Sequence, residues 1–492
     1  MNVGSRIIRN SAALLGGQVA ERLLKLVVMA VLARYLGKTS FGLYVFVLTY
    51  VEFFHLLTDL GLQTILVREM ARGPERADDL LGSVLTLKLI AAGVSAGLAL
   101  LIIAWAGYPL STGVLVGWAA LGLFVSFRLS SVRQVFDAVF QVRLQMRTPV
   151  ALGVGSEVLS AVGLLAAVWW ELDLAFLLAI QNLAYLPGAA GLAWLTQGRI
   201  SLRPRWSAKT LLNLLKESYP LGLSNFFVLA YVKLDILMLS AMQGDEAVGI
   251  YAAAYKLTGS LNILPMALLG SLFPLMSLYF RTAPEILPRL FRKALNALLM
   301  AGLPLAIGGT VLAREIIHLV FGDGFGPAAM VFRVLIWAVV LSFLSYLLAS
   351  ALNAMDRQRL YLGLTASMTA LNVLLNLIWI PRYGFMGAAV ATLITEATLM
   401  LLCLWSLTGH LKGFDLAPVL KFALSAGVMG VAVRFLPFGL LGSIPIGVII
   451  YVGGLLALRA VSREEWASYL AAVGFGSARA RDSAETARVG GS

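Results

Sequence analysis

The sequence predicts an all-α polytopic membrane protein with about fourteen transmembrane helices. Of its 492 residues, 60% are hydrophobic and only 13% are charged, whereas soluble proteins typically carry about 25% charged residues. The mean hydropathy is +0.88. Apolar runs of roughly 20 residues, long enough to cross the hydrocarbon core of a bilayer, recur along the whole chain. These observations together exclude an ordinary soluble protein.

Fourteen apolar runs are predicted to cross the membrane. They are 11–34, 41–67, 80–105, 111–127, 149–170, 172–196, 218–242, 247–279, 291–312, 327–352, 359–380, 384–408, 416–436 and 441–460. If the amino terminus is cytoplasmic, the cytoplasmic segments hold 27 basic residues and the segments on the opposite side hold 5. Because cytoplasmic loops are enriched in Lys and Arg, this distribution predicts that both termini are cytoplasmic.

The distribution of basic residues argues against a nucleic-acid site, and the single cysteine argues against sites that need several cysteines. The net charge of +13 is dispersed over the cytoplasmic segments and forms no single patch, so we expect no nucleic-acid partner. Cys403, the only cysteine, lies in an apolar run. This excludes a disulfide within the chain and a cysteine-based metal cluster, and it predicts a small buried apolar side chain.

A short motif recurs in the two halves of the chain. Residues 36–44, LGKTSFGLY, reappear in altered form at 242–251, MQGDEAVGIY. Gly37 then aligns with Gly244 at an offset of 207. A second resemblance, between FQVRLQMRTPV at 140–150 and the segment LNAMDRQRLYL, has an offset of 212. Two matches whose offsets differ by a small insertion predict a duplicated six-helix unit.

The duplication predicts the domain organisation and the place of a substrate. We expect two six-helix lobes, two appended transmembrane helices, and a short cytoplasmic helix with a disordered tail, at 1–200, 201–410, 411–461 and 462–492. Transporters built from parallel repeats hold their substrate between the halves, near the membrane midplane. The interface between the lobes is therefore the predicted location of the site.

Basic side chains lie in the middle of apolar runs from both lobes. Arg22 and Lys25 belong to the first predicted helix, Lys233 to the seventh and Lys256 to the eighth. Charges at this depth are rare unless they face a cavity or a partner, and both residue types bind phosphate oxygens well. We predict that the four cations converge on a central cavity that binds an anionic pyrophosphate. Internal pairing, for example of Glu21 or Glu52 with Arg22 and of Asp235 with Lys233, is the structural alternative and would neutralise the site.

Carboxylates and neutral polar groups in the same helices are candidate coupling groups. Glu52 and Glu396 lie near the middle of the second and twelfth predicted helices. A desolvated carboxylate can take up and release a coupling proton or cation, although pairing of Glu52 with Arg22 is an alternative. His55 and its repeat counterpart Asn262 are predicted to be neutral hydrogen-bonding groups of the cavity.

Several motifs resemble those of a known transporter superfamily. They are LARYLGKTSFGLY, TDLGLQTILVREMAR, LDILMLSAMQGDEAVGIYAAAYKL, HLVFGDGFGPAAMVFRVLIWA and IPRYGFMGAAVATLITE. These stretches are spread over the first twelve predicted helices. They resemble the multidrug/oligosaccharidyl-lipid/polysaccharide exporter superfamily, and within it the O-antigen type of polysaccharide flippase.

The resemblance implies two six-helix lobes in a V shape and transport by alternating access. The implied substrate is a polyprenyl-pyrophosphate-linked oligosaccharide, carried from the cytoplasmic to the outer leaflet of a bacterial inner membrane. The implied partners are this lipid-linked oligosaccharide, membrane lipids, a polysaccharide polymerase and export machinery. No cofactor is implied other than a coupling H⁺ or Na⁺. The motifs identify no individual substrate contact. The assignment of the four cations to the site therefore depends on their charge and on their depth in the membrane.

Other functions differ from this one in the substrate or the domain that they require. A cation-coupled multidrug exporter of the same superfamily is disfavoured because a cavity rich in Arg and Lys would not suit cationic substrates. A flippase for lipid-linked peptidoglycan precursors has the same phosphate chemistry and stays open. A membrane glycosyltransferase needs a sizeable domain for sugar chemistry, whereas the longest connections here are about 20 residues, and no nucleotide-binding motif is present. We expect a transporter that is not an enzyme.

Overall fold

The computed structural model describes residues 3–126, 131–197, 207–408, 416–436 and 438–461. Every regular element in these ranges is helical, with nineteen α-helices and three single-turn 3₁₀ helices. The predicted all-α class is therefore confirmed. The predicted short helix and tail at 462–492 lie outside the described residues.

The described residues of the amino-terminal half form nine helices. They are α1 (Val3–Asp59), α2 (Leu62–Arg72), α3 (Ala77–Trp105), α4 (Leu110–Ala120), α5 (Gly122–Val125), α6 (Ser131–Val142), α7 (Arg147–Trp169), α8 (Leu174–Leu183) and α9 (Leu186–Gln197). Helix α1 contains a bend at Gly37, whose φ of 67° and ψ of 172° are not helical and suit glycine, which has no Cβ. We call 3–36 its first arm and 38–59 its second arm.

The remaining described residues form ten further helices. They are α10 (Ala208–Gln243), α11 (Asp245–Ser260), α12 (Ile263–Thr282), α13 (Leu287–Val311), α14 (Ala313–Phe321), α15 (Ala328–Ala354), α16 (Gln358–Tyr383), α17 (Phe385–Leu407), α18 (Ala417–Phe435) and α19 (Gly439–Ala457). Helices α18 and α19 pack on each other, and α18 packs on α13. This places the last two helices against the second half of the chain.

Twelve helical stretches of the described residues are long and apolar enough to cross a membrane. One of them, Arg22–Arg72, contains the bend at Gly37, and the additional apolar stretch Leu110–Val125 is shorter than the twelve. The number of fourteen crossings therefore stays a prediction. Large apolar side chains such as Leu101, Trp169 and Leu441 are exposed, as expected of helices whose outer faces contact lipid.

The sequence repeat has counterparts in backbone geometry. Gly37 and Gly244 have similar conformations, with φ of 67° and 82° and ψ of 172° and −178°. Leu144 and Asp356, which correspond at the second offset, have φ of 55° and 57°. Each of these two residues donates to the carbonyl three positions earlier, and the next residue donates to the carbonyl five positions earlier. Positive φ is uncommon outside glycine, so the shared geometry supports a duplication.

The two halves meet where the second arm of α1 packs on α11. A Cβ on Gly42 would lie 1.7 Å from the carbonyl oxygen of Asp245, and a Cβ on Gly249 would lie 1.9 Å from the carbonyl oxygen of Lys38. Each half thus presents a glycine to the backbone of the other. The two glycines, Gly42 and Gly249, are 207 positions apart, which is the offset of the first repeat motif. Beside them, Lys38 Nζ lies 2.7 Å from Glu246 Oε1. We call this arrangement the Gly42 contact.

Arg34 and Phe41 extend the Gly42 contact to α14. Arg34 Nε donates to the carbonyl oxygen of Val320 at 2.9 Å. Carbonyls in the last turn of a helix have no partner within the helix, so this guanidinium satisfies a group that α14 leaves free. The Phe41 ring packs on Phe321 and Phe325, with centroids 6.4 and 5.8 Å apart. Residues of the first half therefore hold the end of a helix of the second.

A second contact joins the halves at the far end of the second arm. A Cβ on Gly61 would lie 2.7 Å from Cβ of Leu221, and a Cβ on Gly222 would lie 2.8 Å from the backbone of the residue before Gly61. Arg68 of α2 pairs with Glu217 of α10. The second arm is about 33 Å long at 1.5 Å per residue. This Gly61 contact and the Gly42 contact therefore close the interface at opposite ends.

Candidate functional site

A cavity of about 540 Å³ lies between the two halves, between the Gly42 and Gly61 contacts. All four predicted cations line it: Arg22 and Lys25 from α1, Lys233 from α10 and Lys256 from α11. The structure thus brings together basic residues that are more than 200 positions apart in the sequence.

Both arms of α1 present one helical face to this cavity. Arg22, Lys25 and Met29, which lie at i, i+3 and i+7, line it from the first arm, and Leu48 and Glu52, at i and i+4, line it from the second. These spacings place each set on a single face. Lys25 and Glu52 lie about 18 and 22 Å along the helix from Gly37, yet they reach the same cavity. The bend must therefore fold the two arms back on each other.

Lys25 and Lys233 are each held by a carboxylate of the cavity wall. Lys25 Nζ lies 2.6 Å from Glu157 Oε1 of α7, and Lys233 pairs with Glu52. The Lys233–Glu52 pair crosses between the halves, because Lys233 belongs to α10 and Glu52 to α1. The described lining contains four basic and two acidic side chains. Its formal charge is therefore positive by two.

Arg22 lies in a different environment from the two paired lysines. Its Nη2 atom is 3.3 Å from the sulfur of Met266, which is a weak acceptor. Among the side chains that the structure describes, no carboxylate lies within ion-pair distance of Arg22, whereas the side chain of Glu21 lies outside the described set. The expected alternative, pairing of Glu52 with Arg22, is wrong because Glu52 contacts Lys233 instead.

The alternative pair of Asp235 with Lys233 is not formed in the structure either. Asp235 accepts hydrogen bonds from the hydroxyl of Tyr251 and, at 2.8 Å, from the backbone nitrogen of Ile236. It is buried within the second half. Two residues apart on α10, Asp235 and Lys233 point in different directions, since side chains at i and i+2 do not share a helical face.

The four predicted coupling groups fall in different places. Glu52 and Asn262 line the central cavity. Glu396 lines a smaller cavity of about 80 Å³ within the second half, and Asn262 borders both. His55 is not among the lining residues of either cavity, and its Nδ1 lies 3.2 Å from Thr58 Oγ1. His55 lies one turn beyond Glu52, the last residue of α1 that lines the central cavity, so its role in the cavity stays a prediction.

Polar groups that the sequence did not single out form the wall opposite the second half. Tyr44, Gln181 and Tyr185 line the cavity, and Tyr44 donates to Gln181 Oε1 at 2.8 Å. Uncharged polar residues are common in apolar helices, so nothing in the sequence distinguished these three as residues of a cavity. In the described ranges, no group of three or more His, Cys, Asp or Glu side chains is placed to hold a metal ion.

The comparison with known families decides where this chain belongs. The pattern of the family described as polysaccharide biosynthesis protein matches residues 7–280, which is more than half of the chain. The chain belongs to this family. A relative in Haloferax volcanii, described as the probable low-salt glycan biosynthesis flippase Agl15, is 25% identical over 192 residues. That alignment covers 39% of this chain and 40% of the relative.

Solved structures show the same fold. The lipid II flippase MurJ in an inward closed conformation superposes with a TM-score of 0.75 and 14% identity, over 91% of this chain and 99% of that one. An inward-facing MATE family multidrug transporter of the MOP superfamily superposes with a TM-score of 0.63 and 16% identity, over 80% and 96%. At such identities the likeness concerns the fold alone.

Proposed function

We propose that this chain is a flippase that moves a polyprenyl-diphosphate-linked oligosaccharide from the cytoplasmic to the outer leaflet by alternating access. The observation that carries the proposal is the excess of positive charge in the central cavity, with Arg22, Lys25, Lys233 and Lys256 around one space. A diphosphate diester carries two negative charges, which match the formal excess of two in the described lining.

The energetics favour an anionic headgroup. Unbalanced charge in a poorly solvated cavity is costly, and ionised hydrogen-bond partners are roughly twice as strong as neutral ones. An entering diphosphate would relieve the repulsion among the cations and gain several such bonds. The sugar would then meet the polar wall that contains Tyr44, Gln181 and Tyr185.

Two alternatives differ in what the cavity should hold. A multidrug exporter for cationic compounds would have to place its substrate beside Arg22 and Lys25, which like-charge repulsion opposes. A flippase for lipid-linked peptidoglycan precursors shares the diphosphate and differs only in the sugar and peptide. It is supported by the TM-score of 0.75 with MurJ, and we keep it as the second candidate.

We place the coupling ion, H⁺ or Na⁺, at Glu396 rather than at Glu52. Glu52 already pairs with Lys233, whereas Glu396 forms no ion pair among the described residues and its buried Oε2 lies near the hydroxyls of Tyr231 and Ser345. The smaller cavity that holds Glu396 shares Asn262, Tyr255 and other lining residues with the central one. A change in the charge of Glu396 can therefore affect the substrate site through the residues that line both cavities.

The setting that we propose is a bacterial inner membrane with both termini in the cytoplasm. The partners would be the lipid-linked oligosaccharide, the surrounding lipids, and the polymerase and export machinery that use the product. Support comes from the membership of the polysaccharide biosynthesis protein family and from the positive-inside distribution of Lys and Arg.

Reconstitution tests this function. Purified protein is placed in proteoliposomes with a fluorescent polyprenyl-diphosphate oligosaccharide, and transfer between leaflets is followed by quenching from outside. We expect transfer that depends on the protein and is competed by other lipid diphosphates. Transfer of cationic dyes without transfer of the lipid-linked sugar would favour the exporter. Preference for a peptidoglycan precursor over polysaccharide repeat units would favour the second candidate.

A further inference from the structure

Charged side chains of the first half continue from the central cavity into the protein. Lys25 and Glu157 line the cavity, and the side chain of Glu157 is only 6% exposed. Beside α7, Arg133 of α6 donates to the carbonyl oxygen of Pro149 at 3.1 Å and interacts electrostatically with Glu157. Glu157 therefore has a second cation near it, one that is itself buried and does not line the cavity.

Arg133 shares a face of α6 with Asp137, four residues further on. Arg133 Nη2 lies 3.7 Å from Asp137 Oδ1, which is longer than a hydrogen bond. This Oδ1 is buried and accepts no hydrogen bond among the described residues. Asp137 also interacts electrostatically with Lys88 of α3. Asp137 is thus placed to pair with either of two cations.

The far end of this series fixes the turn of the Gly61 contact. Lys88 Nζ lies 2.8 Å from Asp59 Oδ1, and the same oxygen accepts from the backbone nitrogen of Gln63 at 3.3 Å. The turn between Asp59 and Gln63 has positive φ at both Leu60 and Gly61, 43° and 78°. Lys88 therefore holds the carboxylate that ties the end of α1 to the start of α2 at this contact.

Six side chains of alternating sign thus connect the cavity with the Gly61 contact. We call them the alternating chain: Lys25, Glu157, Arg133, Asp137, Lys88 and Asp59. A phosphate that takes Lys25 would leave Glu157 without a cation in a poorly solvated place, which is costly. Glu157 avoids this cost by pairing with Arg133, after which Asp137 pairs with Lys88 and the hold on Asp59 weakens. The side chain of Asp59 is 17% exposed, so water can solvate it better than it can solvate Glu157.

We propose that Arg133 and Asp137 are positioning residues that couple binding of the lipid diphosphate at Lys25 to opening of the Gly61 contact. This proposal rests on the proposed function and adds how binding and release are linked. Because coupling of this kind is reciprocal, closing the contact returns Glu157 to Lys25 and weakens the hold on the diphosphate. In the proposed topology the Gly61 contact is cytoplasmic, so the cavity loses affinity for its substrate once the cytoplasmic side has closed.

The experiment compares binding with the Gly61 contact locked and unlocked. Arg68 and Glu217 pair across this contact. Arg68→Cys and Glu217→Cys are introduced into the full chain together with Cys403→Ala, and the two thiols are either joined by a short bifunctional maleimide or capped separately. The Kd of a fluorescent undecaprenyl-diphosphate N-acetylglucosamine is measured in nanodiscs of zwitterionic lipid. Joining the thiols should raise the Kd about tenfold or more, the effect of one charge-assisted contact.

The Arg133→Gln, Asp137→Asn double variant, in the same cysteine background, breaks the alternating chain in its middle. It leaves the pairs at both ends complete, and neither substituted residue lines the cavity, so the capped protein should still bind the probe. Joining the thiols should no longer change the Kd. Asp137→Asn alone breaks the same link with a smaller change and should behave alike, so it serves as the test where the double variant does not fold.

A matched control separates this role from general loosening of the fold. Arg281→Gln, Asp356→Asn makes the same two substitutions in an ion pair of the second half whose side chains are 75% and 65% exposed. This variant should keep the effect of joining the thiols. If it loses the effect as the Arg133, Asp137 variant does, the alternating chain is not its cause and the proposal is wrong.

Spin labels test the coupling in the reverse direction. Ala71 of α2 and Asn213 of α10 are exposed and lie three and four residues from Arg68 and Glu217. In a Cys403→Ala chain labelled at these two positions, the probe should shift the distance distribution towards longer values. The same shift in the Arg133→Gln, Asp137→Asn variant overturns the proposal.

The outcomes distinguish failure of this proposal from failure of the proposed function. If the capped protein with an intact alternating chain does not bind the probe, the proposed function fails and this proposal fails with it. If that protein binds the probe but joining the thiols leaves its Kd unchanged, or changes it equally in the Arg133→Gln, Asp137→Asn variant, only the coupling role of Arg133 and Asp137 is overturned.

Discussion

Several charged side chains inside this protein are paired across different helices or arms. Lys88 of α3 is the extreme case, because its side chain is fully buried. Its Nζ lies 2.8 Å from Asp59 Oδ1 and 3.5 Å from Gln134 Oε1. A lysine of this kind cannot reach water, so the carboxylate beside it decides whether the fold tolerates its charge.

Removal of Lys88 should destabilise the protein strongly. In Lys88→Met, Asp59 would keep a partly buried charge without its cation, and breaking a buried pair in this way typically costs about 3–5 kcal/mol. The expected result is a markedly lower midpoint of thermal unfolding in detergent. Adding Asp59→Asn should recover much of the loss. Arg72→Met is the matched control, since Arg72 forms an exposed pair with Glu69 and should change stability by less than about 1 kcal/mol.

The sequence predicted which residues line the site better than it predicted their partners. Arg22, Lys25, Lys233 and Lys256 stood out because a charge within an apolar run needs a cavity or a partner, and all four line one cavity. Pairing depends on which helical faces meet across the fold, and this information is not present in hydropathy. For the same reason Glu157 could not be assigned to Lys25, which is 132 positions away.

At the scale of elements, the Gly42 contact depends on the absence of side chains. The Cβ of an alanine at position 42 would lie 1.7 Å from the carbonyl oxygen of Asp245, so α1 and α11 would have to separate. Gly42→Ala should therefore shift the protein towards a state in which this end of the interface is open. Gly97 is the control position, because a Cβ there has nothing within 4 Å.

Chemical labelling can detect that shift. A cysteine at Leu48, which lines the cavity, is introduced after the buried Cys403 is replaced by alanine. A maleimide that does not cross the membrane, applied from the side of the Gly42 contact, should label the Gly42→Ala variant faster than its parent or the Gly97→Ala variant. Equal labelling rates in all three would show that the contact does not control access to the cavity.

The repeat was the part of the architecture that the sequence specified most clearly. The motif at 36–44 predicted that Gly37 and Gly244 occupy equivalent turns, and their φ and ψ values agree closely. What the motif did not predict is that its own glycine at position 42 meets the repeat partner Gly249. A sequence repeat specifies equivalent local structure, whereas contact between the copies depends on how the lobes are placed.

At the scale of the whole molecule, the distribution of Lys and Arg predicts the orientation in the membrane. Reporter domains fused at Gly73, at Gly244 and after Ser492 should report the cytoplasm, the opposite side and the cytoplasm, in that order. The fusion after Ser492 also tests the number of crossings, since fourteen requires the two ends to share a side. Activity of that fusion on the outer side would overturn the topology.

The central claim is that the cations of the cavity bind the diphosphate of a lipid-linked sugar, and one translocation assay tests it most directly. The Arg22→Gln, Lys25→Gln double variant keeps polar side chains but removes two charges. Loss of a hydrogen bond to a charged group typically costs about 1.5–3 kcal/mol, or roughly ten- to a hundredfold in affinity. Lys25→Arg, which keeps the charge, should retain much of the transport.

Wild-type and variant proteins are reconstituted at equal density, after equal insertion and thermal stability have been established. Transfer of a fluorescent polyprenyl-diphosphate oligosaccharide between leaflets is then followed at a substrate concentration below saturation. We expect the initial rate of the double glutamine variant to fall at least tenfold below wild type. A stable double variant that transfers the lipid-linked sugar at the wild-type rate would contradict the account.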